Sequence, residues 1–189
     1  WEYRVVEAGR TYDDSDLGDW TRIWVVPGSS TVVPEGAFEG CTKVRYVYFD
    51  QGVTGIGKRA FADMEGLYNV YGGDVETIGQ EAFAGSSVEV VTFGKELVSI
   101  GEGAFRDCAE LKNLTLGKTS VTQIGNNVFR DSGIEILDMR NITGIASDAF
   151  TGSELSLQIV TSGQETSYDG ADLLVYDGET DFFLSLIHI

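Results

Sequence analysis

The sequence is short of the residues that usually carry chemistry. Its 189 residues include a single histidine, His188, and only 2 cysteines. One imidazole at the far end of the chain leaves Ser-His-Asp and Cys-His arrangements without a base. Two cysteines are too few for a disulfide framework. Basic residues are scarce as well: 13 Lys and Arg stand against 30 Asp and Glu, a formal charge of −17. A field of that sign repels phosphate backbones, so nucleic acid is not an expected partner. Its plainest use is solubility. No run approaches the ~20 apolar residues of a membrane span. Proline is rare at 2 residues while glycine reaches 24, a balance that favours tight turns over disorder. There is no initiator Met, and Trp1 falls inside a strand-like pattern. The chain is therefore read as part of a longer protein whose address label lies outside it.

What is present is a repeat. Phe38, Phe61, Phe83, Phe105, Phe129 and Phe150 recur with a period of about 22 residues. Five positions before each stands a β-branched residue: Val33, Ile56, Ile78, Ile100, Ile124 or Ile145. Directly before each stands Ala37, Ala60, Ala82, Ala104, Val128 or Ala149, and three after it Cys41, Met64, Ser86, Cys108, Ser132 or Ser153. Gly57, Gly79, Gly101 and Gly125 follow four of the isoleucines. Each Phe is followed by a second pattern of three spaced apolar residues, such as Val44, Val47 and Phe49, or Leu111, Leu114 and Leu116. Another copy, Trp20, Ile23 and Val25, precedes the first Phe.

One such unit has no core of its own; stacked units share one. The pattern predicts a β-rich solenoid with little helix: a right-handed coil with one parallel sheet, spanning residues 20–160. The six Phe residues are expected to stack as an internal ladder, with Ala beside them because the coil is narrow. Residues 1–19 lie outside the repeat and are expected to cap its first coil. Residues 161–183, with Asp169-Gly170 and Asp177-Gly178 around apolar runs, are expected to form a hairpin or open a further coil. Residues 184–189 resemble the in-frame translation of a sequencing-adapter end and are read as an artefact.

Few candidate sites stand out from this scaffold. Cys41 and Cys108 share a repeat position three coils apart, roughly 14 Å at ~4.8 Å per strand. That exceeds the span of a disulfide, so both are read as buried apolar rungs. Asp14, Asp16 and Asp19 suggest a calcium loop, but its twelfth position, counted from Asp14, is the core residue Val25. A solvated acidic loop is the simpler expectation, with no metal and no cofactor. The Gly-x-Gly elements at Gly55/Gly57 and Gly101/Gly103 sit in repeat turns and open no long helix, so they are not phosphate loops.

The informative residues are those pointing out of the strands. They are Arg22/Trp24, Tyr46/Tyr48, Asn69/Tyr71, Val90/Thr92, Asn113/Thr115 and Ile136/Asp138, with Tyr68 beside the third pair. Trp24, Tyr46, Tyr48, Tyr68 and Tyr71 thus gather on adjacent strands in the N-terminal half. Aromatic residues with polar tips suit binding surfaces, and they also pack across strands to stabilise a sheet.

The repeat resembles the BspA-type, or Treponema-type, leucine-rich repeat, in which Ile-Gly-x-x-Ala-Phe-x-x-Cys follows a Leu-rich strand. Leu97, Ile100, Gly101, Ala104, Phe105, Cys108, Leu111, Leu114 and Leu116 match that consensus, and Pro27 fits the proline after its strand. The resemblance implies a bacterial or protist protein, extracellular or on the cell surface and often adhesive, with no catalytic residues. It points to a binding module for a host protein, matrix or glycan. The alternative is a structural spacer that displays another domain.

Overall fold

The computed structural model describes residues 2–116, 118–134, 136–138, 141–153, 158–160, 173–176 and 186–187. The chain begins with β1 (Arg4–Glu7), α1 (Asp14–Leu17), β2 (Arg22–Val26) and β3 (Val32–Val33). The middle coils follow as β4 (Tyr46–Phe49), β5 (Gly55–Ile56), β6 (Asn69–Gly72), β7 (Thr77–Ile78), β8 (Val90–Phe93) and β9 (Ser99–Ile100). Next come β10 (Asn113–Thr115), β11 (Gln123–Ile124), β12 (Ile136–Asp138) and β13 (Gly144–Ile145). Last are β14 (Gln158–Val160), β15 (Leu173–Tyr176) and β16 (Leu186–Ile187). Each repeat coil contributes one longer strand, then a two-residue strand, then a Phe turn. The longer strands form a single sheet in the order β1-β2-β4-β6-β8-β10-β12-β14-β15-β16. Its pairs are parallel except β15 with β16. The parallel-strand solenoid expected from the repeat is what the chain forms. Asp169-Gly170, Asp177-Gly178, Phe182 and Phe183 lie outside the described residues.

Register follows from burial. Ile23, Val47, Val70, Val91, Leu114 and Leu137 pair in sequence along the sheet, and all are buried. A one-residue slip would carry this aliphatic column to the solvent face. Behind it the Phe rings stack. Centroid separations are 5.1, 5.4, 5.2, 5.8 and 5.2 Å from Phe38 to Phe150, with planes at most 13° apart. The backbone repeats the stacking. The Phe38, Phe61 and Phe83 amides donate to the carbonyls of Ala60, Ala82 and Ala104 one coil on.

The ladder starts earlier than the sequence pattern indicates. Tyr12 stacks on Phe38 at 5.2 Å and 10°. Its amide donates to the Ala37 carbonyl at 2.7 Å, and its carbonyl accepts the Cys41 thiol at 3.6 Å. Tyr12 is thus a seventh rung, inside the segment expected only to cap the coil. Its interval to Ile23 is longer than that from Phe38 to Val47, and it contains α1.

The Cys and Ser column has a polar purpose that an apolar reading misses. Cys108 donates to the Phe83 carbonyl at 3.0 Å, and the Ser153 hydroxyl to that of Phe129 at 2.5 Å. Each side chain supplies a donor to a carbonyl of the preceding coil, in an interior where water does not compete. Both cysteines are free and buried. Burial pushes the Cys108 thiol up to about 12 and the Cys41 thiol up to about 11. Only the thiolate is nucleophilic. Neither should therefore label with a disulfide reagent at pH 8 until urea unfolds the protein. Fast native-state labelling of Cys108 would contradict its placement.

The short strands reveal one seam. β3, β5, β7 and β9 form one ladder, and β11 pairs only with β13. Elsewhere the amide after the short strand donates one coil back, as from Gly57 to Val33, Gly79 to Ile56 and Gly101 to Ile78. Among the described residues no such bond joins Gly125 to Ile100. The seam falls at the longest interval between successive Phe rungs, Phe105 to Phe129, where the ring separation is also widest. The main sheet runs through it unbroken, by way of β8, β10 and β12.

Candidate functional site

The outward positions of β2, β4 and β6 form two rows. In the first, Trp24, Tyr48 and Tyr71 stand in register. Tyr48 and Tyr71 stack at 5.0 Å and 11°. Tyr3, just before β1, sits edge-on to Trp24 at 6.0 Å and to Tyr48 at 5.1 Å. In the second row, the Arg22 guanidinium lies 4.7 Å over the Tyr46 ring, and Tyr46 meets Tyr68 edge-on at 6.0 Å. Asn69, in register with Tyr46 in the second row, donates to the Tyr71 hydroxyl of the first at 2.7 Å. The five aromatics named from the sequence therefore share one face but divide into two packed groups. Trp24 and Tyr68 are exposed; Tyr46, Tyr48 and Tyr71 are half-buried by their neighbours.

Tyr3 joins this face although the repeat does not reach it. The alternation of Tyr3 and Val5 carries the signal, because Val5 pairs with Trp24 and Tyr3 lies two residues earlier on the same side. Desolvation, together with the Tyr3 hydrogen bond, pushes the Tyr48 hydroxyl above its ordinary value. The Glu89 carboxylate does the same to Tyr68. At the ends of β2 and β4 the first row borders a pocket of about 280 Å³ lined by Tyr3, Trp24, Tyr48, Phe49, Asp50 and Gln51.

Beyond β6 the face turns small and polar. Val90 is half-buried, and Thr92 and Asn113 are exposed. The side chains of Thr115, Ile136 and Asp138 lie outside the described residues. At the Phe turns the surface is charged, but its charges face one another. Arg59 reaches Glu39 at 2.8 Å, Asp63 at 2.6 Å and Glu81 at 3.0 Å, and Arg106 reaches Glu81 at 3.3 Å. The carboxylates hold the Arg59 guanidinium firmly protonated, Glu39 first among them.

The acidic segment is largely solvated, as expected, and its carboxylates are also fastened to neighbouring groups. Asp13 caps α1, with Asp13 and Asp16 in a reciprocal capping box. Asp14 accepts from the Thr42 hydroxyl at 2.7 Å and its amide at 3.0 Å, and Asp19 pairs with Lys43 at 2.6 Å. Leu17 is buried beneath them. These acids hold the first turn against the next coil. Among the described residues no cluster of His, Cys, Asp and Glu is arranged to hold a metal.

The Thr42 hydrogen bonds keep the Asp14 carboxyl below its ordinary value. A carboxyl with a depressed folded value stabilises above the unfolded value of about 4, and the benefit fades as pH falls through the folded one. Melting curves at pH 7 and pH 3 should therefore differ more for the wild type than for Thr42→Val. Equal differences would show that the Thr42 hydroxyl bond to Asp14 contributes nothing.

No curated protein matches the chain. Among solved structures it is similar to the pneumococcal vaccine antigen PcpA. The TM-score is 0.54 at 18% identity, over 88% of this chain and 56% of that one. The chain thus spans little more than half the length of that structure, and the likeness is one of fold. The leucine-rich repeat protein of T. pallidum gives a TM-score of 0.44 at 19% identity, over 84% and 78% of the two chains. The family model of the BspA type leucine rich repeat region matches residues 31–157 in 6 copies. Aromatic ladder, Ile-Gly turns and family match coincide over the same coils, and the chain belongs to the BspA-type leucine-rich-repeat family.

Proposed function

We propose that this chain is a non-catalytic binding module of a cell-surface or secreted protein, and that its exposed sheet face adheres to a host protein, matrix or glycan. The observation that carries the proposal is the aromatic cluster itself. Trp24, Tyr46, Tyr48, Tyr68 and Tyr71 lie on three neighbouring coils of one face, two of them openly exposed. Aromatic groups with polar tips dominate binding energetics where they are pre-positioned, and a solenoid sheet presents them on a rigid, extended surface. That the similar pneumococcal protein is a vaccine antigen fits a surface address.

The spacer reading rests on a specific observation too. Tyr48 stacked on Tyr71 and Arg22 over Tyr46 are contacts that stabilise a sheet without any ligand. The two readings separate in one experiment. Wild-type protein and the triple variant Tyr46→Ser, Tyr48→Ser, Tyr71→Ser are applied to matrix-protein and glycan panels, with circular dichroism confirming the fold. Binding by the wild type that falls at least about tenfold in the variant supports the module. A wild type that binds nothing on the panels assigns the chain to the spacer role.

A further inference from the structure

We infer that the pocket beside Trp24 receives an arginine side chain of a basic partner protein, an inference that rests on the binding-module reading and names the chemistry of its anchor. Four of the pocket's lining residues are aromatic, Tyr3, Trp24, Tyr48 and Phe49, with Tyr3 edge-on to both Trp24 and Tyr48. Asp50 and Gln51 complete the lining. Among the described residues the Asp50 carboxylate has neither an ion pair nor a hydrogen bond to its oxygens, so its charge is available to a ligand. Ring faces attract cations through their quadrupole, and a neighbouring carboxylate adds direct attraction.

Size narrows the occupant. At about 280 Å³ the pocket falls just under the usual ~300–1,000 Å³ of small-molecule sites. It has room for one arginine side chain. Arginine fits better than lysine because its planar, weakly hydrated guanidinium stacks on rings and pairs with a carboxylate in two-pronged fashion. The same face already shows this chemistry. Arg22 lies over Tyr46 in the adjacent row. The first row has the rings and the acid, and a partner brings the cation. Charge complementarity extends beyond the pocket: a chain of formal charge −17 draws basic proteins and steers their approach.

The probe is the peptide Arg-Ser-Arg-Ser-Arg, compared with the same peptide carrying citrulline, which keeps the shape and removes the charge. Binding is followed by NMR titration at physiological salt, which screens diffuse attraction to the acidic surface. The arginine peptide should bind at least about tenfold more tightly than the citrulline peptide, and shifts should centre on Trp24. Trp24→Ser and Asp50→Asn should each weaken arginine binding several-fold, with Asn113→Ala, exposed on the same face beyond β6, leaving it unchanged. Equal affinity for the two peptides, or parental affinity in both pocket variants, overturns the inference. If neither peptide binds while the parent still binds matrix protein through the tyrosine face, this inference falls and the binding-module reading stands. If the wild type binds neither matrix protein nor glycan on the panels, it is the binding-module reading that falls.

Discussion

Phe83→Ala should lower stability by about 4 kcal/mol and split the unfolding transition in two. Phe83 is fully buried, with Phe61 and Phe105 stacked on its two faces at 5.4 and 5.2 Å. Removing the ring leaves a cavity bounded by two other rings, each fixed by a stack of its own. Neither can move inward without breaking its neighbour's contact, so collapse is limited and the upper part of the usual range for a buried Phe applies. The effect on cooperativity is separate. In a solenoid each coil touches only its neighbours, and a weak interface in the middle lets the halves unfold independently. Tyr12→Ala is the informative comparison. Tyr12 ends the ladder, half-exposed, with Phe38 stacked on it but no rung beyond among the described residues. Its loss should cost less and leave one transition. Calorimetry of the two variants checks both claims; a single sharp transition for Phe83→Ala would show that the main sheet, not the ladder, couples the coils.

The ladder is legible because it obeys a period, and the period comes directly from the geometry of a coil. Phe, Ala and Ile recur because each faces the same narrow interior once per turn. Tyr12 is not legible for the same reason in reverse. No Ile stands five before it and no Ala directly before it, and the insertion containing α1 moves it out of step. Its place is set by contacts with Phe38, Ala37 and Cys41, which only the folded coil brings together. The acids of the cap show a different gap. Asp14 and Asp19 look alike in a run of solvated carboxylates, and nothing local announces that Thr42 and Lys43 are their partners in the next coil. At the candidate site, strand alternation identifies the outward residues of β2, β4 and β6 correctly as a set. It does not foresee that Asp50 and Gln51 join Tyr3 and Trp24 to turn one end into a pocket. Alternation states which side a residue faces; it is silent on how far along the strand a neighbouring coil begins.

The seam after β9 leads to the second large effect, a contrast between two glycines of identical sequence role. Gly79 and Gly125 both follow the isoleucine of an Ile-Gly turn. A Cβ on Gly79 would meet the Gly57 carbonyl carbon and the Lys58 nitrogen at 2.7 Å. These are backbone atoms of the preceding coil, held by the Gly57 to Val33 bond, so they cannot rotate aside as a side chain would. Gly79→Ala must push two coils apart at a point where the Phe stack and the short-strand ladder both resist. A cost of about 2–3 kcal/mol is expected, as for an overpacked core. A Cβ on Gly125 meets nothing within 4 Å, because the short-strand ladder is interrupted there and the preceding turn stands away. Gly125→Ala should fall within about 0.5 kcal/mol of the wild type, with the reduced freedom of the unfolded chain acting in its favour. Consensus alone treats the two positions as equivalent, so urea melts of these variants measure what the missing bond between Gly125 and Ile100 does to coil spacing. Equal destabilisation would mean that the coils close up at the seam. A large difference would locate the place where neighbouring turns are joined by the main sheet and the ring stack without the short-strand ladder.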